Sequence, residues 1–149
     1  MQMPLIKILP EQVSEAWEIV APAIAKALPP GSALHPYSLT NILQSILAEK
    51  SILWGWFKKA EDSTPIILVL TQEITDDLVG IRNLLIYAIA SLSPATDRAI
   101  WTEGVATLVK FAKSRNCRNI LAYSNHSGLI DLMEGQGWST EFSLLTYGV

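Results

Sequence analysis

The sequence has little of what compact chemical motifs are built from. Its 149 residues hold one cysteine, Cys117, and two histidines, His35 and His126. One thiol and two imidazoles do not close a zinc site without several carboxylates, so a structural metal is not expected. A single cysteine forms no intrachain disulfide, which fits a reducing compartment. Charge is scarce: 17% of the residues are Asp, Glu, Lys or Arg, against about 25% in an average soluble protein. The 14 acids exceed the 11 bases, for a net charge of −3. That balance argues against a sequence-independent nucleic-acid binder, which needs a basic surface. Long hydrophobic runs are lacking too. The longest clean run, Ile66 to Leu70, is bounded by Pro65 and Thr71. A membrane-spanning helix needs about 20 apolar residues. Met1-Gln2-Met3-Pro4 has neither the basic start nor the long apolar core of a signal peptide. The expectation is a cytoplasmic protein with no membrane segment.

Apolar residues are plentiful, at 50% of the chain. A single domain over 1–149 buries roughly two-thirds of its unfolded surface and needs no staple. An apolar excess of this size also leaves room for a partner surface, including one for a second copy of the chain.

The pattern along the chain alternates between strand and helix periods. Leu5 to Leu9 reads as a short strand ending at Pro10. Val13, Ala16, Trp17, Val20 and Ile24 fall at helical spacing, with Pro22 expected to kink or divide that helix. Pro29-Pro30-Gly31 ends it. A second helix is expected from an N-cap at Ser38, carrying Leu39, Ile42, Leu43, Ile46 and Leu47. Ser51–Phe57 and Pro65–Leu70 read as a hairpin, and Arg82–Ala90 as a third strand of the set. Trp54 and Trp56 lie two apart and so share one strand face. They cover a helix, or they form an exposed or ligand-facing wall. An amphipathic helix follows over Ala99–Lys113, then a strand at Asn119–Ser124, a short helix at Ser127–Glu134 and a last strand at Phe142–Tyr147. The order β-α-α-β-β-β-α-β-α-β describes an α+β (mixed α/β) domain with a central mixed sheet. Its β-α-β unit should be a right-handed parallel crossover.

The second half resembles the GNAT family of N-acetyltransferases, which move an acyl group from acyl-coenzyme A to an amine. The likeness rests on Phe111-Ala112-Lys113-Ser114-Arg115-Asn116-Cys117 at a helix end, Asn125 after the next strand, and Gly137-Trp138 before the last one. Asn116 stands where the family usually has Gly, and Trp138 where it usually has Phe. The first half matches by element order alone.

The resemblance implies an acetyl-CoA site and an amine substrate. Backbone N–H groups of a glycine-containing loop at a helix start hold the cofactor diphosphate, because such termini favour anions. Here that loop falls on Thr96, Asp97, Arg98, Ala99, Ile100 and Trp101, with Ala99 and Trp101 in place of small residues. The edge of the preceding strand, at Ala90, Ser91 and Leu92, would pair with the pantetheine arm, and Asn125 would adjoin it. Glu73 is the candidate general base. The family's usual tyrosine acid falls on Met133, which leaves Tyr123 as a candidate phenol. Two functions follow: an acyl-CoA-dependent N-acyltransferase, or a non-catalytic module that keeps the fold as a binding or structural part of an assembly.

Overall fold

The computed structural model describes residues 5–33, 35–59, 61–62, 64–92, 98–124 and 126–149. The elements are β1 (Ile6–Lys7), α1 (Pro10–Glu15), α2 (Trp17–Ala27), α3 (Pro30–Ala33), α4 (Ser38–Leu47), β2 (Ser51–Trp56), β3 (Ile67–Asp76), β4 (Ile81–Ser91), α5 (Arg98–Ser114), β5 (Asn119–Ala122) and α6 (Ser127–Gly135). They form one five-stranded sheet in the order β1-β2-β3-β4-β5. The first four strands pair antiparallel, and β4 pairs parallel with β5. The mixed α+β class and the parallel β4–α5–β5 crossover agree with the sequence pattern.

Both faces of the sheet are covered, which is why its strands read as near-continuous apolar runs. Alternate residues supply the two faces. Trp54, Trp56, Ile67 and Val69 join Ile100, Leu108 and Ala112 of α5 in one core cluster. Leu53, Leu68 and Leu70 join Val13, Val20, Ile24 and Ile46 of the N-terminal helices in the other. The two tryptophans are therefore buried beneath α5, and the exposed wall is not formed. Trp54 stands edge-on to Phe111 with ring centroids 5.2 Å apart, and its Nε1 donates to Thr71 Oγ1 at 2.8 Å.

β4 breaks the alternation once. Thr71 lies opposite Ile86 and Leu70 opposite Ala88, so Tyr87 is an extra residue with no β3 partner. This is a β-bulge, which bends a strand and increases its twist. It also swaps the numbering of the faces. Leu84 and Ile86 belong to the α5 side, whereas Ala88 and Ala90 belong to the side of α1, α2 and α4.

The structure corrects several expected boundaries. The first helix divides at Ala16, while Pro22 sits inside α2. β1 is cut to two residues because the chain turns at once into α1, where Gln12 Oε1 accepts from the Leu9 N–H at 3.0 Å. Ser38 is the first residue of α4 and not its cap; its hydroxyl donates to the Ser32 carbonyl. β3 runs on to Asp76, with the turn closed by Gly80 at φ +73°. The last strand is absent: residues 139–149 carry no regular structure. Phe142 and Leu145 are more than nine-tenths exposed. Apolar alternation alone does not hold a strand; it needs a neighbour for its backbone groups and a face to bury.

Asn116 has φ +58°, just after the end of α5. This left-handed position closes a helix, with the Asn116 N–H on the Lys113 carbonyl and the Cys117 N–H on the Ala112 carbonyl. Glycine is usual there because it has no Cβ to clash; asparagine is among the side chains that tolerate the same conformation.

Candidate functional site

The bulge marks the point where the sheet opens. The β4–β5 ladder runs from Asn83 opposite Asn119 to Ile86 opposite Ala122. Its last bond is from the Tyr123 N–H to the Ile86 carbonyl at 3.0 Å. β5 ends there, while β4 continues to Ser91. From Tyr87 to Ser91 β4 therefore has no β5 pair, and this break in the β4–β5 pairing is a gap with Tyr87 at its apex. The other end of the ladder is pinned by Asn119 Nδ2 donating to Asn83 Oδ1 at 3.0 Å, with Asn83 buried.

Two phenols flank the apex. The rings of Tyr87 and Tyr123 lie 5.9 Å apart, and the Tyr87 hydroxyl is hydrogen-bonded to the Ser32 hydroxyl. Tyr123, a candidate acid by sequence, is thus at the mouth of the gap and 36% exposed. Ala90 and Ser91 lie on the extension of β4 beyond the last β5 pair, and Leu92 follows, its N–H on the Ile66 carbonyl at 2.8 Å. Ala90 is buried against the α2 side.

α5 opens at Arg98, a short link after β4. Thr96, Asp97 and Asn125 lie outside the described residues, as does the side chain of Arg98. Ile100 is buried in the α5-side cluster, and Trp101 packs against that same cluster. Ala99 is half-buried in the same first turn. Trp101 helps line an apolar cavity of about 30 Å³ with Trp56, Ile86, Leu108 and Met133. Its ring therefore lies on the sheet side of α5. Trp56 Nε1, on the same cavity, has no hydrogen-bond partner among the described residues.

Glu73 lies opposite Leu84, three residues before the Tyr87 apex. At 3.3–3.4 Å per residue that is roughly 10 Å along the strand. Its carboxylate is not offered to the gap. Glu73 instead accepts from Arg115 Nε at 2.5 Å and Nη2 at 3.2 Å, tying β3 to the end of α5. That hydrogen bond holds the Glu73 carboxyl below the ordinary carboxylate range, partial burial opposes it, and the charges of Arg115 and Arg82 add to the lowering. A depressed folded-state value means the pair stabilises the fold above the unfolded-state pKa and loses that contribution as pH falls through the folded one. Glu73→Gln should therefore be less stable than the parent at pH 7. The difference in urea midpoint should close on acidification below the Glu73 titration, and a constant difference down to that pH would refute it. The nearby Cys117 thiol is pushed up by burial, so it stays protonated and unreactive at neutral pH.

His126 caps α6, its Nδ1 accepting from the Leu129 N–H at 3.1 Å. A second opening lies on the other side of Tyr87, toward the helices. It is a cleft of about 460 Å³ between α3, α4 and strands β2 to β4. Sequence reasoning missed it, because Tyr87, Ser51 and His35 come from three distant segments. The one available signal was Tyr87 itself, the only residue with a polar tip within the apolar stretch 84–90.

Among the described residues no helix is long and apolar enough to cross a membrane, and no group of three metal-ligating side chains occurs. No family model matches the chain, and no curated protein does. Solved structures do match over nearly the whole length. An aminoglycoside acetyltransferase from an uncultured soil metagenomic sample is 14% identical, with a TM-score of 0.72 over 100% of this chain and 99% of its own. A GNAT family acetyltransferase from Staphylococcus aureus is 16% identical, with a TM-score of 0.63 over 99% and 100%. A predicted acetyltransferase with acetyl-CoA from Clostridium acetobutylicum is 16% identical, with a TM-score of 0.67 over 98% and 96%. With its bulged fourth strand, its parallel crossover and a β4 that runs past the last β5 pair, the chain has the fold of the GNAT acetyltransferases.

Proposed function

We propose that the chain is an acyl-CoA-dependent N-acyltransferase that transfers an acetyl group to an amine. The observation that carries this reading is the gap itself: β4 outruns β5 from the Tyr87 bulge, and α5 starts a short link beyond. The residues present fit acetyl-CoA. An extended pantetheine arm carries amide groups that suit a strand edge, here Ala90, Ser91 and Leu92. The start of a long helix suits a diphosphate, here the backbone from Thr96 through Trp101. With Trp101 packed toward the sheet, its bulk does not fill the space ahead of the first turn. Asn125 follows the end of β5 in sequence and is assigned to the same site. Bound acetyl-CoA supplies an activated thioester. On this chain the Tyr123 hydroxyl is the proton donor this reading keeps, because it stands at the mouth of the gap. A base for the amine is left to solvent, since Glu73 is engaged by Arg115.

That engagement of Glu73 favours a second reading, a non-catalytic module acting in an assembly. Calorimetric titration separates the two. Saturable acetyl-CoA binding in the micromolar to submillimolar range is expected of an enzyme. No heat at about 1 mM cofactor, well above that range, would remove the acyltransferase reading and leave the module.

A further inference from the structure

The apolar cavity under α5 shares a wall with the gap. Ile86, the last β4 residue paired with β5, and Ile89, two residues past Tyr87, both line it. α5 supplies Trp101, Gly104, Val105 and Leu108, whose spacing puts them on one helix face. No lining residue is charged. The polar groups nearby are turned elsewhere: Gln136 Nε2 donates to Thr102 Oγ1 at 2.8 Å, and Trp56 Nε1 has no accessible surface. Gly104 is the informative member of the lining. It sits inside α5, where glycine is less favourable than alanine. Close packing does not require it, because a Cβ built there meets nothing within 4 Å. Alanine would strengthen the helix and fill part of the void, and cores ordinarily leave few voids. The chain keeps glycine instead, and the space stays open beside the gap.

We infer that this cavity takes the far end of the donor's acyl chain, and that the protein prefers a three- or four-carbon acyl-CoA to acetyl-CoA. The inference rests on the acyltransferase reading and narrows its donor. An acyl chain held in the gap has Ile86 and Ile89 beside it and the cavity beyond them. About 30 Å³ holds roughly two groups the size of a water. Two carbons added to acetyl make butyryl, whereas a hexanoyl chain overruns the space. The lining offers such a chain apolar contact and asks no polar group of it.

The test is calorimetric titration of the full chain with acetyl-, propionyl-, butyryl- and hexanoyl-CoA. Affinity should rise about fourfold per added methylene, so roughly 15-fold from acetyl to butyryl, and fall again at hexanoyl. Gly104→Ala takes up about one carbon of the space, so its ratio of butyryl to acetyl affinity should drop about fourfold. The same variant should melt at a higher temperature than the parent, because its added methyl strengthens the helix and meets nothing. A lower melting temperature would show that the space at Gly104 is not free and would overturn the role given to the cavity. A flat series, or one that weakens from acetyl to butyryl, refutes the inference and leaves the acyltransferase reading standing. A butyryl preference that Gly104→Ala leaves untouched puts the acyl chain elsewhere and refutes it as well. Silence from all four donors removes the acyltransferase reading and this inference with it.

Discussion

A chain lacking Tyr87 should fold and should fail to bind acetyl-CoA. Deleting the bulge residue leaves Ile86 opposite Thr71 and Ala88 opposite Leu70, now as successive residues. The register with β3 is kept, and so are the faces: Ile86 toward α5 and Ala88 toward α2. The strand loses its local bend, however, and with it the divergence from β5. If the pantetheine arm pairs with the end of β4, losing even a few amide bonds of about 1 kcal/mol each weakens the cofactor roughly 30-fold or more. Tyr87→Ala is the control. It removes the phenol but not the extra backbone unit, so acetyl-CoA should still bind. Calorimetry on the two variants, with a urea titration to establish that each is folded, decides the matter. Equal affinities would mean that the bulge does not open the gap.

The largest stability effect should come from Trp54. Its ring is 5% exposed, lies edge-on to Phe111, and donates to Thr71 Oγ1, which is itself buried. Trp54→Ala removes the packing and leaves Thr71 Oγ1 with only its 3.5 Å bond to the Ile52 carbonyl, at a cost of about 3–5 kcal/mol. In a domain of this length that is a drop in Tm of roughly 10–15 °C. Trp54→Phe keeps most of the volume and loses chiefly the hydrogen bond, about 1 kcal/mol. A thermal melt in which the two variants match would show that the site repacks around the missing ring.

These two residues also show what is legible in the sequence. The pair Trp54 and Trp56 could be placed on one strand face, since alternation is a property of a single segment. Which face, and what covers it, is decided by α5, whose apolar stripe starts more than 40 residues later. The bulge at Tyr87 is written in no segment at all. It is a relation between β3 and β4, and no glycine or proline flags it. Of the positions proposed for the cofactor, Ala90 and Ser91 lie on the part of β4 beyond the last β5 pair. The acidic chemistry of Glu73 suits a base, but only the antiparallel register and the end of α5 put Arg115 beside it. The segment 142–147 misled for the opposite reason. Its alternation is real, yet no neighbouring strand takes up its backbone.

The order of strands across the sheet is the order in which they occur along the chain. β2, β3 and β4 follow one another with no helix between them, and β3 and β4 are joined by a tight turn. Contacts of that kind are local and close quickly. β5 is different: it has to wait for the whole of α5 and joins in the parallel sense. The gap at Tyr87 thus falls on the seam between a hairpin-built sheet and a strand delivered by a helix. A late, four-residue strand at such a seam is the least costly place to part the sheet. The first place at which the sheet is expected to open is therefore the β4–β5 seam, with β2 to β4 still paired.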